Sequence, residues 1–442
     1  MKILLIMPPC VPGQPFPPGV HSRLYPPLGL GYLASVLEEK GHSVWIADLF
    51  SLKWDYVSRV FDGITFDVVG ISCLFPSRTS VYLLCDYIRK KFPDTRIVLG
   101  GPFITAMAEK ILPVTRADAA VVGEGEVTFP EVVDSFEGKK SIKDIKGIAY
   151  MEEGRILRTP SREPIKDLDG LPFPAYHLYN RKSYLRYRQG GESNRMKPAE
   201  GIRWGSVMTT RSCDYGCNFC AVPASCGDVL RRRSGRNVAE EYELLVKEYG
   251  YRGIFVQDAY FPFGTDLYYD LSNEIIKRNI KVYWASNTRA DNIDEENIRL
   301  AKKTGCCYLI FGVETGSPAL LEKMNKGETL EHVENAINLC SKYEIGVGAH
   351  IMVGYPGENN KTVDETKQFL KKMKNKITNL NVHILTLFPG TGVYNTLLSN
   401  GVIKEEDFLA QTKKSIQLFH LYTYEHRLSR LNKWKKLLYS CL

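Results

Sequence analysis

Along the first third of the chain, short apolar blocks alternate with amphipathic stretches. The block ILLIM ends in Pro8 and Pro9, and LGLGYLASVLEEKG then runs with apolar residues at helical spacing to a stop at Gly41. VWIAD, DVVGIS, RIVLGG and AAVVGEGE are apolar runs ending in small or polar residues, and amphipathic stretches such as SVYLLCDYIRKKFPD separate them. This alternation predicts a doubly wound, Rossmann-like α/β domain over residues 1–150, with an open, mainly parallel sheet. Ligands of such sheets lie beyond the carboxyl ends of the strands. Here those ends are Pro8–Pro9, Ser72–Leu74, Gly100–Pro102 and Gly123–Glu126.

The rhythm breaks in TPSREPIKDLDGLPFPAYHLYN and RQGGESNRMKPAEG, which are rich in proline, glycine and polar residues, so residues 151–204 read as an interdomain linker. A second alternation fills residues 205–395. Its strands are GSVMTT, GIFVQ, KVYWAS, CYLIFG, VGAHIMVG and NVHILTLF, with helices expected at 237–249, 266–278, 294–303, 317–343 and 361–374. Six strand–helix units are too few for a closed eight-unit barrel, so a partial parallel (β/α)6 barrel is expected, with its chemistry at the carboxyl ends of the strands. Asp258, Arg289, Glu314 and the GYPGE stretch at 354–358 lie at such ends. Residues 396–442 read as a short helical tail, and the basic stretch RLNKWKKLL reads as a solvated helix, with a cover over the barrel mouth as the alternative.

Composition adds limits. The chain is 44% hydrophobic and 24% charged, as expected of a globular protein, and a net charge of +8 over 442 residues does not single out nucleic acid as a partner. No apolar run reaches the length of a membrane span. MKILLIMPP is cut short by its prolines and reads as a strand rather than a signal peptide. Eleven cysteines in a chain of this length fit a reducing cytoplasm better than a disulfide framework.

Three of those cysteines, Cys213, Cys217 and Cys220, fall within RSCDYGCNFC, directly after the first strand of the second alternation. Thiolates suit zinc or iron–sulfur clusters. A structural zinc site wants four ligands, and neither a histidine nor a fourth cysteine completes a pair here; Cys226 is six residues on. Three ligands on one loop suit a cubane cluster with one iron left open. Zinc stays as the lesser alternative. Gly216 gives the loop a sharp turn, and Phe219 can cover the cluster.

Cys-x3-Cys-x2-Cys with an aromatic residue before the last cysteine, after the first strand of a partial barrel, resembles the radical S-adenosylmethionine (SAM) enzymes. The resemblance implies a [4Fe-4S] cluster on Cys213, Cys217 and Cys220. It also implies reductive cleavage of SAM to a 5′-deoxyadenosyl radical, and an external electron donor such as flavodoxin or ferredoxin. It assigns SAM binding to Phe219, to Asp258 in VQDAYF, to Arg289 in SNTRAD and to Glu314 in GVETGS. The family's usual Gly-Gly-Glu is absent at VQDAYF.

The first domain resembles cobalamin-binding domains through Ser72-Cys73-Leu74 and Gly100-Gly101. The expected Asp-x-His-x-x-Gly is replaced by MPPCVPG, so no histidine stands ready to ligate cobalt. Together with YPPLGLGYLASVLEEKGH and VVGEGEVTF, this is similar to the radical SAM enzymes that bind cobalamin without such a ligand, and it implies corrin contacts at Ser72, Leu74, Gly100, Gly101, Glu124 and Gly125.

The function implied is radical C-methylation of a small-molecule or peptide substrate, with no nucleic acid and no membrane span. Cyclisation, rearrangement or oxidation on the same scaffold is the first alternative. A transfer-RNA methylthiotransferase would need a second cluster, for which Cys10, Cys73 and Cys85 are the available thiols. A non-catalytic cobalamin or iron–sulfur sensor would not cleave SAM. The stretches YFPFG and FHLYTY suit an apolar pocket or ordinary core packing equally.

Overall fold

The computed structural model of the protein describes residues 1–10, 25–50, 52, 54–180, 201–409 and 425–441. The chain divides into two compact units. One comprises Met1–Tyr184 with Ala224–Gly227 and Ile403–Phe419, the other Leu185–Pro223 with Asp228–Val402 and His420–Leu442.

In the first unit, β1 (Lys2–Met7), β2 (Ser43–Asp48), β3 (Val68–Ser72), β4 (Arg96–Gly100) and β5 (Ala119–Val121) pair in parallel. Then β6 (Ile148–Glu152) and β7 (Arg155–Arg158) add an antiparallel hairpin. The sheet order is β2-β1-β3-β4-β5-β6-β7. Its helices are α1 (Leu28–Glu39), α2 (Arg78–Lys91), α3 (Pro102–Thr115) and α4 (Gly125–Phe136). Central β1 has five of its six residues buried, as a strand covered on both faces must. Ile3, Leu5, Val68, Val98, Leu30, Ala34, Phe129 and Val132 form one core between the sheet, α1 and α4. The hairpin strand β7 lies inside the stretch read as interdomain linker. YMEEGRILR turns at Glu153 and Gly154, both with positive φ, and the two strands pair through local hydrogen bonds.

In the second unit, six parallel strands stand in the order β15-β14-β13-β12-β11-β8, the arrangement expected of a partial barrel. They are β8 (Trp204–Val207), β11 (Gly253–Val256), β12 (Tyr283–Thr288), β13 (Cys306–Glu314), β14 (Gly346–Val353) and β15 (Asn379–Ile384). Two short strands, β9 (Thr210–Arg211) and β10 (Arg231–Arg232), pair antiparallel beyond the end of β8. The helices are α5 (Gly235–Lys247), α6 (Asp266–Lys277), α7 (Glu295–Lys303), α8 (Pro318–Lys323), α9 (Leu330–Lys342), α10 (Asn360–Met373) and α11 (Gly392–Ser399). Ser234, Asp294, Thr329, Asn359 and Thr391 cap α5, α7, α9, α10 and α11 with side-chain oxygens.

Three stretches take local roles in the fold. RRRSGR at 231–236 supplies β10, a buried Arg233 and the cap of α5. The tail helix α12 (Leu428–Tyr439) is not free in solvent: it buries Leu431, Trp434 and Leu438. The Tyr439 hydroxyl accepts the Val382 N–H of edge strand β15 at 3.1 Å, a donor that has no further strand to meet. YFPFG is core: Phe261 and Phe263 are buried and pack edge-on to each other and against Trp284 and Tyr268. FHLYTY lies outside the described residues. No helix among the described residues is long and apolar enough to cross a membrane.

Candidate active site

The loop carrying Cys213, Cys217 and Cys220 leaves the carboxyl end of β8 through a built root. Thr209 and Thr210 donate their backbone N–H groups to Asp258 Oδ1 at 2.7 and 3.1 Å, and the Thr209 hydroxyl bonds Oδ2. The Arg233 N–H reaches the Thr209 carbonyl at 3.0 Å. Ser212 then takes a left-handed φ of 72°, which turns the chain into the loop. Asp258 is only 2% exposed, and burial pushes its carboxyl up to about 6 despite those three donors. Asp258 thus stands just past the end of β11, beneath the loop and engaged by its root.

All three cysteines are half-buried, and none of the eleven in the chain forms a disulfide. Burial raises each of the three thiols. Cys220 goes to about 11, with the neighbouring Cys217 and Cys213 adding to the shift. Three thiols within electrostatic reach on one loop resist ionising together and fit a cationic metal centre that would relieve that repulsion. Lys326 and Arg289 act on Cys217 in the opposite sense, favouring its thiolate.

The loop is gripped on several sides. Asn218 N–H donates to the Met324 carbonyl at 3.1 Å, and its amide nitrogen to the Lys323 carbonyl at 2.8 Å. The Asn218 carbonyl accepts the Val393 N–H at 3.0 Å. Tyr355 donates its hydroxyl within reach of Asn218 Oδ1 and the Lys323 carbonyl. Tyr260 donates to Asp214 at 2.8 Å and stands edge-on to Tyr215. Phe219 is half-buried on the same loop.

Arg289 and Glu314 come to the same region from the ends of β12 and β13. The Arg289 guanidinium lies 3.5 Å from the Tyr215 ring centroid, forks onto Asp291 at 3.0 and 2.6 Å, and donates to the Lys326 carbonyl at 2.9 Å. Glu314 has φ of 63° at a register break in β13, and its side chain folds back over Gly312, where any Cβ would strike it. Lys326 Nζ stands 3.7 Å from Glu314 and 3.0 Å from Glu328. Burial raises the Glu314 carboxyl, with Lys326 opposing. Lys326, Glu328, Tyr215 and Thr209 were not singled out from the sequence. Charged residues in a loop give no signal of burial until the fold encloses them.

In the first unit, Ser72 pairs with Gly100 in register at the ends of β3 and β4. Gly101 has φ of 96°, and a Cβ there would meet the Cys73 carbonyl oxygen at 2.9 Å and Ser72 Oγ at 3.1 Å. A Cβ at Gly100 would meet only Val121, in ordinary contact at 4.0 Å. Ser72, Gly100 and Gly101 are thus brought together, with Leu74 two residues past Ser72 on the same segment, while Glu124 and Gly125 make local contacts. Glu124 accepts the Ile165 N–H at 2.7 Å, and Gly125 lets Leu33 of α1 approach. The sheet order reverses at β1, so the crevice that such folds offer to ligands opens between the ends of β1 and β3.

Residues 207–370 match the model of the radical SAM superfamily, and residues 22–133 match the B12 binding domain. Over 406 residues the chain is 30% identical to the uncharacterized methyltransferase PH0819 of Pyrococcus horikoshii, covering 91% of this chain and 84% of that relative. It is 28% identical over 352 residues to the anaerobic magnesium-protoporphyrin IX monomethyl ester cyclase of Rubrivivax gelatinosus, covering 77% of this chain and 61% of the cyclase. The fold superposes on the radical SAM methyltransferase TsrM of Kitasatospora setae, solved with cobalamin and a [4Fe-4S] cluster bound. The TM-score is 0.70 at 21% identity, over 90% of this chain and 75% of that one.

Proposed function

Because this chain belongs to the radical SAM enzymes that carry a B12-binding domain, we propose that it is a cobalamin-dependent methyltransferase acting on a carbon of a small molecule or peptide. The observation that carries the reading is the loop of three half-buried thiols at the end of β8, held by the same second unit that presents Arg289 and Glu314 at the next strand ends. Cys213, Cys217 and Cys220 hold the [4Fe-4S] cluster, and Phe219 shields it. Arg289 and Glu314 bind SAM, through its carboxylate and its ribose hydroxyls respectively. Ser72, Leu74, Gly100 and Gly101 form the corrin-binding edge, where the lack of a side chain at Gly100 admits close approach. Asp258 anchors the loop root instead of contacting SAM.

When bound, the cluster and SAM supply a 5′-deoxyadenosyl radical and the corrin supplies a transferable methyl group. The protein positions these groups and keeps water away from the radical. A flavodoxin- or ferredoxin-like donor supplies the electron. A second reading, radical cyclisation or oxidation without methyl transfer, is favoured by the similarity to the cyclase. The chain spans 61% of that enzyme's length.

The test is anaerobic reconstitution with iron, sulfide, hydroxocobalamin, SAM and a strong reductant. Bound corrin, 5′-deoxyadenosine and S-adenosylhomocysteine are measured together, with Cys213→Ala as the control. Corrin bound one per chain, cysteine-dependent 5′-deoxyadenosine and S-adenosylhomocysteine beside it support methyl transfer. Deoxyadenosine and corrin without S-adenosylhomocysteine favour the second reading. A loaded cluster with no bound corrin overturns the cobalamin assignment.

A further inference from the structure

The segment Lys323–Glu328, between α8 and α9, touches every part of the second unit's candidate site. Its first half holds the cysteine loop. The Lys323 and Met324 carbonyls accept from Asn218, and the Asn325 amide donates to the Gly216 carbonyl at 2.8 Å. Asn325 and Gly327 take positive φ of 52° and 74°, so the segment is tightly coiled. Its second half holds the strand ends. The Lys326 carbonyl accepts from Arg289 at 2.9 Å, and Glu328 Oε1 accepts the Ala290 N–H at 2.5 Å. The Lys326 ammonium, 7% exposed, lies between Glu314 and Glu328. A buried cation between two carboxylates fixes both, because either one left alone would bear its full desolvation cost.

We propose that Lys323–Glu328 is a clamp that sets the SAM site relative to the cysteine loop, with Lys326 as the positioning residue for Glu314. The proposal rests on the SAM reading above. Lys326 acts through Glu314 and touches no reacting atom. Asn325 serves the loop, so the two halves of the clamp separate by substitution.

The experiment compares wild type, Lys326→Gln and Asn325→Ala after anaerobic cluster reconstitution. Iron per chain, SAM affinity by equilibrium dialysis, and the SAM-induced change in the electron paramagnetic resonance signal of the reduced cluster are read. Lys326→Gln is expected to keep its iron and lose SAM affinity by about 10-fold or more, the scale of lost supporting contacts around a metal site, with a weakened SAM-induced spectral change. Asn325→Ala is expected to lose iron faster to a chelator. If Lys326→Gln fails to fold, the double variant Lys326→Gln/Glu328→Gln removes one buried charge of each sign and is read in the same way. Wild-type SAM affinity in Lys326→Gln, or loss of iron in parallel with SAM, overturns the clamp. Failure of iron-loaded wild type to bind SAM overturns the functional reading instead.

Discussion

Arg233 and Glu241 form an ion pair whose side chains are 4% and 0% exposed. Arg233 also donates to the Met208 carbonyl at 2.8 Å and to Asn237 Oδ1 at 2.7 Å, tying α5 to the end of β8 where the cysteine loop begins. Removing one member strands the other charge. Arg233→Ala is expected to destabilise the protein by about 3–5 kcal/mol, while Arg233→Met/Glu241→Leu recovers most of that loss. Urea unfolding of both variants checks the prediction; equal destabilisation would refute it.

Asp258 separates a structural from a ligand role. Asp258→Ala leaves three donors at the loop root without their acceptor and should cost about 2–4 kcal/mol. Asp258→Asn keeps an acceptor for the two backbone N–H groups, and the Thr209 hydroxyl can turn to meet the new amide. It should therefore fold and load iron nearly as wild type does, with SAM affinity unchanged. A selective loss of SAM affinity in Asp258→Asn would return this residue to the SAM site.

Gly100 and Gly101 are expected to behave differently. At Gly101, positive φ and contact with Cys73 make alanine strained, so Gly101→Ala should lower stability by about 1–3 kcal/mol. Gly100→Ala meets only an ordinary contact with Val121 at 4.0 Å and should leave the melting temperature unchanged. If the corrin lies against this edge, Gly100→Ala weakens corrin binding, readable in the visible absorption of bound hydroxocobalamin. Unaltered corrin binding in Gly100→Ala would remove this edge from the cobalamin assignment.

Buried carboxyls, Asp258 and Glu358 among them, shape the acid side of the stability profile. Burial pushes Asp258 to about 6 and Glu358 to about 7, above their ordinary values of 3.8 and 4.5. The folded state thus binds protons that the unfolded state has released, so this contribution is fully present below pH 4 and is lost as pH rises towards 7. Glu358→Gln should flatten the upper part of that fall. Denaturant midpoints from pH 4.5 to 7.5 test it, and the same slope in the variant and wild type would contradict it.

The sequence by itself determined the architecture and the placement of three thiols on one loop. Strand and helix periodicity survives in local residue order, because β1, α1 and the six barrel strands each carry their own apolar pattern. The thiols at 213, 217 and 220 share one loop, so their proximity follows from local residue order. Tertiary structure alone decided the partners of charged residues. Lys326 and Glu314 are twelve positions apart, and Asp258 is 49 positions from Thr209. In sequence each could be a solvated surface charge. Only the enclosing fold strips their water and makes a hydrogen-bonded partner obligatory. The same cause explains a misread detail. RLNKWKKLL looks solvated because of its charge, yet one face of α12 is buried and Tyr439 meets Val382, 57 positions away.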